Sequence, residues 1–238
     1  MKLLSATILV LCVVCMSCSK HLSTNPETLK TSLWPLKFGN NWVYSDSTFS
    51  DTSFTGAYQD TAVVLHQTLS DNSGQIYFEV YNPNGWFGSG GYFSVDPSNT
   101  TVYAFDSASN SNYLFFQIAA QDGTLIGNGT NFNNSTCPIQ ENQYGFATTT
   151  NINGFNCYKN IESSTDCKGV VQETIITYVA PGAGVVRIED YVADSTKNNN
   201  QFLQYSQTLV SQTINYTVKP RSQRITGEVF SHTWSDRE

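Results

Sequence analysis

The sequence predicts an all-β protein: a single antiparallel meander sheet of about ten strands, strongly curved into a half-barrel or barrel-like form. Two observations carry this. Apolar and polar residues alternate with a period of two through most of residues 33–218, broken by Gly, Asn, Pro and Asp clusters at roughly ten-residue intervals. No stretch sustains helical spacing for longer than a turn or two. Composition fits a packed domain, with 39% hydrophobic and 13% aromatic residues in a chain of 238. Charged residues supply only 13%, about half the usual share. Asn, Ser, Thr and Gln take their place, as is common on surfaces outside the cytoplasm.

Residues 1–17 have the form of a bacterial lipoprotein signal peptide. Lys2 is a short basic region, residues 6–16 are an apolar run, and Cys15-Met16-Ser17-Cys18 puts a small residue directly before a cysteine. This resembles a loose lipobox and implies cleavage before Cys18 and acylation of its thiol. The apolar run is about half of the ~20 residues that a spanning helix needs. Residues 18–32, polar and containing Pro26, form a tether carrying the acylated Cys18, and residues 33–238 form one β domain.

Within the domain, residues 41–47 make a first strand with Trp42 and Tyr44 on one face. Residues 61–69 and 75–81 pair around Asp71-Asn72-Ser73-Gly74, with Ile76, Phe78 and Val80 alternating with Tyr77, Glu79 and Tyr81. Asn82-Pro83-Asn84-Gly85 turns the chain towards residues 92–96, and Pro97-Ser98-Asn99 turns it into 101–106; the apolar run 113–118 is central. Residues 121–143, rich in Gly and Asn, read as a long loop. Strands resume at 144–150 and 155–162. A hairpin joins 169–179 to 185–193 through Ala180-Pro181-Gly182-Ala183-Gly184, and after a polar turn at 197–200 a long run covers 202–218. The charged tail from Lys219 holds one edge strand at 228–232.

Cys137, Cys157 and Cys167 remain after the leader, an odd number for an oxidising compartment. A Cys157–Cys167 bridge across the polar residues between them is the preferred pairing, with Cys137–Cys157 as the alternative.

A formal net charge of −7 argues against nucleic acid, which needs a basic stripe, and against electrostatic docking on anionic lipid. The membrane tie is then the acyl chain. His21, His66 and His232 have no second ligand at metal-binding spacing, so no metal and no cofactor is expected. No nucleophile elbow, phosphate loop or dinucleotide fingerprint occurs, and the expectation is a non-enzyme. Glu189 and Asp190 are adjacent on a strand, which sends them to opposite faces; Glu162 and Asp166 are a second carboxylate pair.

Two stretches carry a family resemblance. Trp34-Pro35-Leu36-Lys37-Phe38-Gly39-Asn40-Asn41-Trp42-Val43-Tyr44 resembles a PLKxGNxWxY opening, and Tyr178 to Arg187, containing Ala180-Pro181-Gly182-Ala183-Gly184-Val185, resembles an APGxGxV(K/R) hairpin. In this order they are similar to Bacteroidetes-type envelope lipoproteins, a family without an assigned activity. The resemblance implies a curved sheet like that of lipoprotein carriers and a place in the envelope. Both motifs also have structural readings. Gly39 and Asn40 suit positive φ before the first strand, and Pro181-Gly182 suits a type II turn.

The expected function is that of a lipid-anchored protein of the outer membrane, on its periplasmic side or the cell surface. It binds a hydrophobic or lipid ligand on the curved sheet, with Phe78, Val80, Phe115, Ile118, Ile176 and Val186 as candidate lining. The alternative is glycan binding or protein interaction through the aromatic segment Tyr81, Trp86, Phe87, Tyr92 and Phe93.

Overall fold

The computed structural model describes residues 32–50, 53–131, 136–194 and 200–215. The expected leader, the expected acylation position Cys18, residues 19–31 of the expected tether and the tail from residue 216 lie outside them.

The described residues form one antiparallel sheet of thirteen strands and contain no helix. In chain order these are β1 (Asn41–Ser50), β2 (Ser53–Ser70), β3 (Ile76–Asn82), β4 (Gly88–Val95), β5 (Thr101–Asp106), β6 (Ser111–Gln117) and β7 (Thr124–Asn131). They continue with β8 (Ile139–Gly145), β9 (Thr150–Ile152), β10 (Phe155–Thr165), β11 (Val171–Ala180), β12 (Gly184–Asp194) and β13 (Asn200–Thr213). The spatial order is β6-β5-β4-β3-β2-β1-β13-β12-β11-β10-β8-β7, with β9 paired to β10. Two meanders, β1–β6 and β7–β13, are thus joined by the β1–β13 ladder, and the chain passes from one outer strand (β6) directly to the other (β7).

That passage nearly closes the sheet into a barrel. Residues 118–123 link the two outer strands and span at most roughly 20 Å. The edge of β6 comes to rest on the inner face of β8 and β10, where side chains replace a strand partner. Asn160 accepts from the Gln117 N–H at 2.9 Å and donates to the Gln117 carbonyl at 2.8 Å. Gln143 donates to the Phe115 carbonyl at 3.1 Å. Gly145 allows the approach, because a Cβ there would lie 2.8 Å from Ala119 Cβ.

Thirteen strands exceed the roughly ten expected, and three stretches differ from the expectation. β7 lies in the stretch read as a loop, its sequence TLIGNGTN lacking hydrophobic alternation. β9 is only three residues long. β2 reaches back to Ser53 through a Ser-, Thr- and Gly-rich segment that pairs with the outer half of β1.

One end of the interior is packed with apolar side chains. Leu33, Trp34 and Leu36, ahead of β1, plug it and are buried with Trp42, Tyr44, Val64, Phe87, Phe93 and Ile188. The Trp34 ring lies 5.0–5.9 Å from Trp42, Phe87, Phe93 and Phe115. The later hairpin closes over the plug. The Gly182 N–H donates to the Ser32 carbonyl at 2.6 Å, Trp42 Nε1 to the Ala183 carbonyl at 2.6 Å and the Tyr44 hydroxyl to the Val185 carbonyl at 3.0 Å. Gly184, at φ 80°, lies so close that a Cβ would overlap the Trp34 indole. The opening motif and the APGAG hairpin are therefore one packing unit.

Gly39 takes positive φ (79°), and so does Gly182 (79°). Asn40 does not. It is fully buried, donates to the Pro35 carbonyl at 2.6 Å and accepts from the Asn215 N–H at 2.8 Å. Its role is to tie the opening segment to the end of β13.

The cysteine pairing is corrected. Cys137 bonds Cys167, with Cα atoms 5.1 Å apart, and Cys157 is free and buried. Cys157 sits near the start of β10 and Cys167 just past its end. At ~3.3 Å per residue, the extended strand holds these two far beyond disulfide reach. Its thiol is pushed up to about 11, chiefly by burial.

Candidate functional site

The barrel's second half is not filled. Beside the β6 seam lies a cavity of about 370 Å³, within the range typical of small-molecule sites, about 300–1,000 Å³. One wall is Trp86, Tyr113, Leu114 and Phe115; the other is built from β7, β8, β10 and β11, including Gly127, Gly129, Glu141, Gln143, Glu162 and Ile175. The glycines make the space. Gly127 pairs with Gln143 and Gly129 with Glu141, and a Cβ at Gly127 would lie 3.2 Å from Gln143 Oε1. A second hollow of about 440 Å³ lies by Phe93, Phe105 and Tyr113. Its single carboxylate, Asp106, is already occupied by the Ala108 N–H and the Ser109 hydroxyl.

Directly opposed residues in a sheet share a face, so strand register places the polar groups. One inward row runs Gly127, Gln143, Glu162, Ile175, Asp190, Tyr205 and Thr48. The next row towards the open end contains Gly129, Glu141, Ser164 and Glu173. The row on the packed side contains Asn160, Thr177, Ile188, Gln207 and Asp46. Trp86, which lines the cavity, stacks on Tyr205 with ring centroids 5.8 Å apart. The Tyr205 hydroxyl donates to Asp46.

Among the described residues, this half of the interior is acidic and holds no basic side chain. Burial raises the Glu162 carboxyl above the usual carboxylate range, and Glu141 and Glu173 raise it further. Burial and then Glu141 raise Glu173. Burial and then Glu173 push Asp190 up to about 6. Asp46 is raised by burial, against the Tyr205 hydrogen bond. The basic residues among the described ones lie elsewhere. Lys37 donates to the Asn215 carbonyl, His66 packs on Phe38 and Lys159 lies over the Phe146 ring. Lys168 is in the β10–β11 turn, and Arg187 pairs with Glu189 at 2.6 Å on the outer face. Among the described residues no cluster of three His, Cys, Asp or Glu side chains could hold a metal ion.

The aromatic segment does not form one surface. Tyr81 is exposed on the outer face, and Tyr92 opposes Glu79 there. Phe87 and Phe93 are buried in the core around Trp34. Only Trp86 lines the cavity. Of the six residues expected to line an apolar groove, Val80 and Val186 are fully buried core, while Phe78 and Ile118 pack against that core. Ile176 opposes Ile161 and Glu189 on the outer face, and Phe115 alone reaches the cavity. Glu162 and Asp166 separate, since Asp166 accepts the Lys168 and Val170 N–H groups of its own turn. Glu141, Glu173 and Tyr205 were not singled out from sequence. Each contributes one side chain from a different strand, so no local motif marks them.

No protein-family model matches the chain, and a search of curated proteins finds no match. Among solved structures it is similar to a predicted lipoprotein from Parabacteroides distasonis, with 16% identity, a TM-score of 0.40 and coverage of 77% of this chain and 99% of that one. It is also similar to a predicted exported protein with a YmcC-like fold from Bacteroides fragilis, with 16% identity, a TM-score of 0.37 and coverage of 74% and 96%.

Proposed function

We propose that this is a lipid-anchored binding protein of the bacterial outer membrane, non-enzymatic, that takes a small ligand into the cavity beside the β6 seam. The Cys18 lipobox supports the anchor. The cavity itself carries the binding reading: glycines on β7 keep it open, aromatic rings form one wall, and polar groups on three further strands form the other.

The site favours a ligand with an apolar body and a polar head over a long lipid chain. The apolar end of the barrel is occupied by Leu33, Trp34 and Leu36, so the hydrophobic contact on offer is limited to Trp86, Tyr113, Leu114, Phe115 and Ile175. A glycan reading of the whole segment 81–93 loses support from the inward turn of Phe87 and Phe93.

The test is native mass spectrometry of the mature protein purified from its own envelope, beside a Gly129→Leu variant whose side chain fills the cavity. A reproducible added mass in the parent that is lost in the variant supports the reading. A clean apo mass for both, together with no change on adding envelope extract, overturns it. Release of a Cys18→Ala variant into the soluble fraction tests the anchor separately.

A further inference from the structure

We propose that the cavity takes a neutral sugar ring, its C–H face lying on Trp86 and its hydroxyls bonding to Gln143, Glu162 and Thr177. The inference rests on the cavity being a ligand site and adds the chemical class of what it takes.

The fold leaves several polar atoms free inside the cavity. Gln143 and Thr177 line it and are only 8% and 7% exposed. Gln143 Nε2 is taken by the Phe115 carbonyl at 3.1 Å, and Oε1 is left without a donor. That oxygen borders the space kept clear by Gly127, where a Cβ would lie 3.2 Å from it. Thr177 Oγ1 and the Glu162 carboxylate have no hydrogen-bond partner among the described residues. Unlike Asp190 Oδ1, none of these oxygens is sealed in. Buried polar groups are ordinarily satisfied, and here the open cavity is where a partner can enter.

Register brings the three side chains together from three strands. Gln143 on β8 opposes Glu162 on β10, and Ile175 on β11 opposes Glu162 from the other side, with Thr177 next along that same face. An amide oxygen and a carboxylate only accept, whereas a hydroxyl does both. A ligand carrying several hydroxyls around its rim satisfies all three, because each of its groups can donate or accept. An alkyl chain with a single polar end reaches only one of them.

The wall across from these groups is aromatic. Trp86 has one ring face on Tyr205 and lines the cavity with Tyr113 and Phe115. A pyranose is a flat body whose C–H bonds make an apolar face and whose hydroxyls point outward from the rim. Such a plate loses water from its face against an aromatic ring while the rim reaches the polar wall. Only Trp86 of the segment 81–93 takes part.

Charge and size narrow the class. Glu141 and Glu162 line the cavity and no basic side chain does, so a uronic acid or a sugar phosphate meets like charge at low dielectric. The volume of about 370 Å³ lies near the small end of ligand sites. It suits a single ring, free or at the end of a glycan chain.

The experiment uses the full mature chain with Cys18→Ser and saturation-transfer NMR at pH 7.5. The probes are the methyl β-glycosides of glucose, galactose and N-acetylglucosamine. Methyl β-glucuronide is the charged control, and glucitol carries the hydroxyls without the ring. At least one glycoside is expected to bind saturably, with both controls at least about tenfold weaker, a factor worth ~1.4 kcal/mol. Trp86→Ala, Glu162→Gln and Thr177→Val are each expected to weaken that glycoside about fivefold or more, with melting curves confirming that the variants fold. The last two keep the side-chain shape. Comparison with the matching β-linked tetrasaccharide separates the sources: tighter binding assigns the site to a chain end, equal binding to a free sugar. Equal binding of glycoside, glucuronide and glucitol overturns the sugar inference. Absence of glycoside binding also overturns it, and an envelope-derived mass lost in Gly129→Leu then still supports the cavity as a ligand site. Absence of both overturns both readings. Glycoside binding that is indifferent to all three substitutions overturns the placement.

Discussion

The Asn160 carboxamide stands in for a missing strand against Gln117. It accepts from the backbone N–H at 2.9 Å and donates to the carbonyl at 2.8 Å. A barrel whose outer strands are β6 and β7 is thereby closed with side chains rather than with a ladder. Asn160→Leu leaves both Gln117 groups without partners, and the expected cost is about 2–4 kcal/mol. Urea denaturation gives the magnitude, and faster amide exchange at Gln117 locates it. A loss below ~0.5 kcal/mol with unchanged exchange contradicts this role.

Trp34 joins the two sequence motifs. It precedes β1, packs on Trp42, and abuts Gly184 at the tip of the β11–β12 hairpin. Trp34→Ala is expected to cost about 3–5 kcal/mol, as large buried aromatics do. Gly184→Ala is expected to destabilise as well, because the site has positive φ and no room. Melting curves for both variants provide the check. A neutral Gly184→Ala would mean that the hairpin does not rest on the indole.

Cysteine chemistry follows strand geometry. A non-reducing peptide map is expected to recover Cys137 joined to Cys167. Cys167→Ser is expected to lower stability by about 2–4 kcal/mol. Cys157, buried and with its thiol pushed up to about 11, is expected to resist iodoacetamide at pH 8 until the protein is unfolded. Rapid alkylation of native protein at Cys157 contradicts its placement.

Asp190 makes stability depend on pH. Its carboxyl titrates at about 6 in the fold instead of 3.8, through burial first and Glu173 second. The folded protein therefore holds the proton more tightly than the unfolded chain. Stability falls as pH rises from about 4 to about 6 and is then level with respect to this group. Asp190→Asn removes the penalty, so the variant is expected to exceed the parent by roughly 1–3 kcal/mol above pH 6, with the gap closing near pH 4. Denaturation midpoints across this window test it, and a pH-independent difference contradicts it.

Much of the fold was legible because period-two alternation depends on one buried face. That pattern marked β1, β3, β11 and β12, and it separated Glu189 from Asp190: the first pairs with Arg187 on the outer face and the second points inward. β7 was not legible because of its glycines. Its Gly127 and Gly129 omit the side chains that would have shown alternation, and the same omission opens the cavity opposite Gln143 and Glu141. The expected cysteine pairing fails because β10 does not end at residue 162 but runs on to Thr165 and carries Cys167 away from Cys157. The carboxylate cluster was invisible for a different reason. Glu141, Glu162, Glu173 and Asp190 come from four strands, and only the register of β8, β10, β11 and β12 brings them onto one face.

Trp86 reports on the cavity directly, since it lines the space and stacks on Tyr205, whereas Trp34 and Trp42 are fully buried in the core. The most direct measurement is acrylamide quenching of tryptophan fluorescence in the parent and in Trp86→Phe, with and without a protein-free extract of the envelope at pH 7.5. The difference between the two proteins isolates Trp86. Occupancy of the cavity predicts that the extract shields this component and that Gly129→Leu abolishes the shielding. A Trp86 component equally quenched with and without the extract contradicts the account.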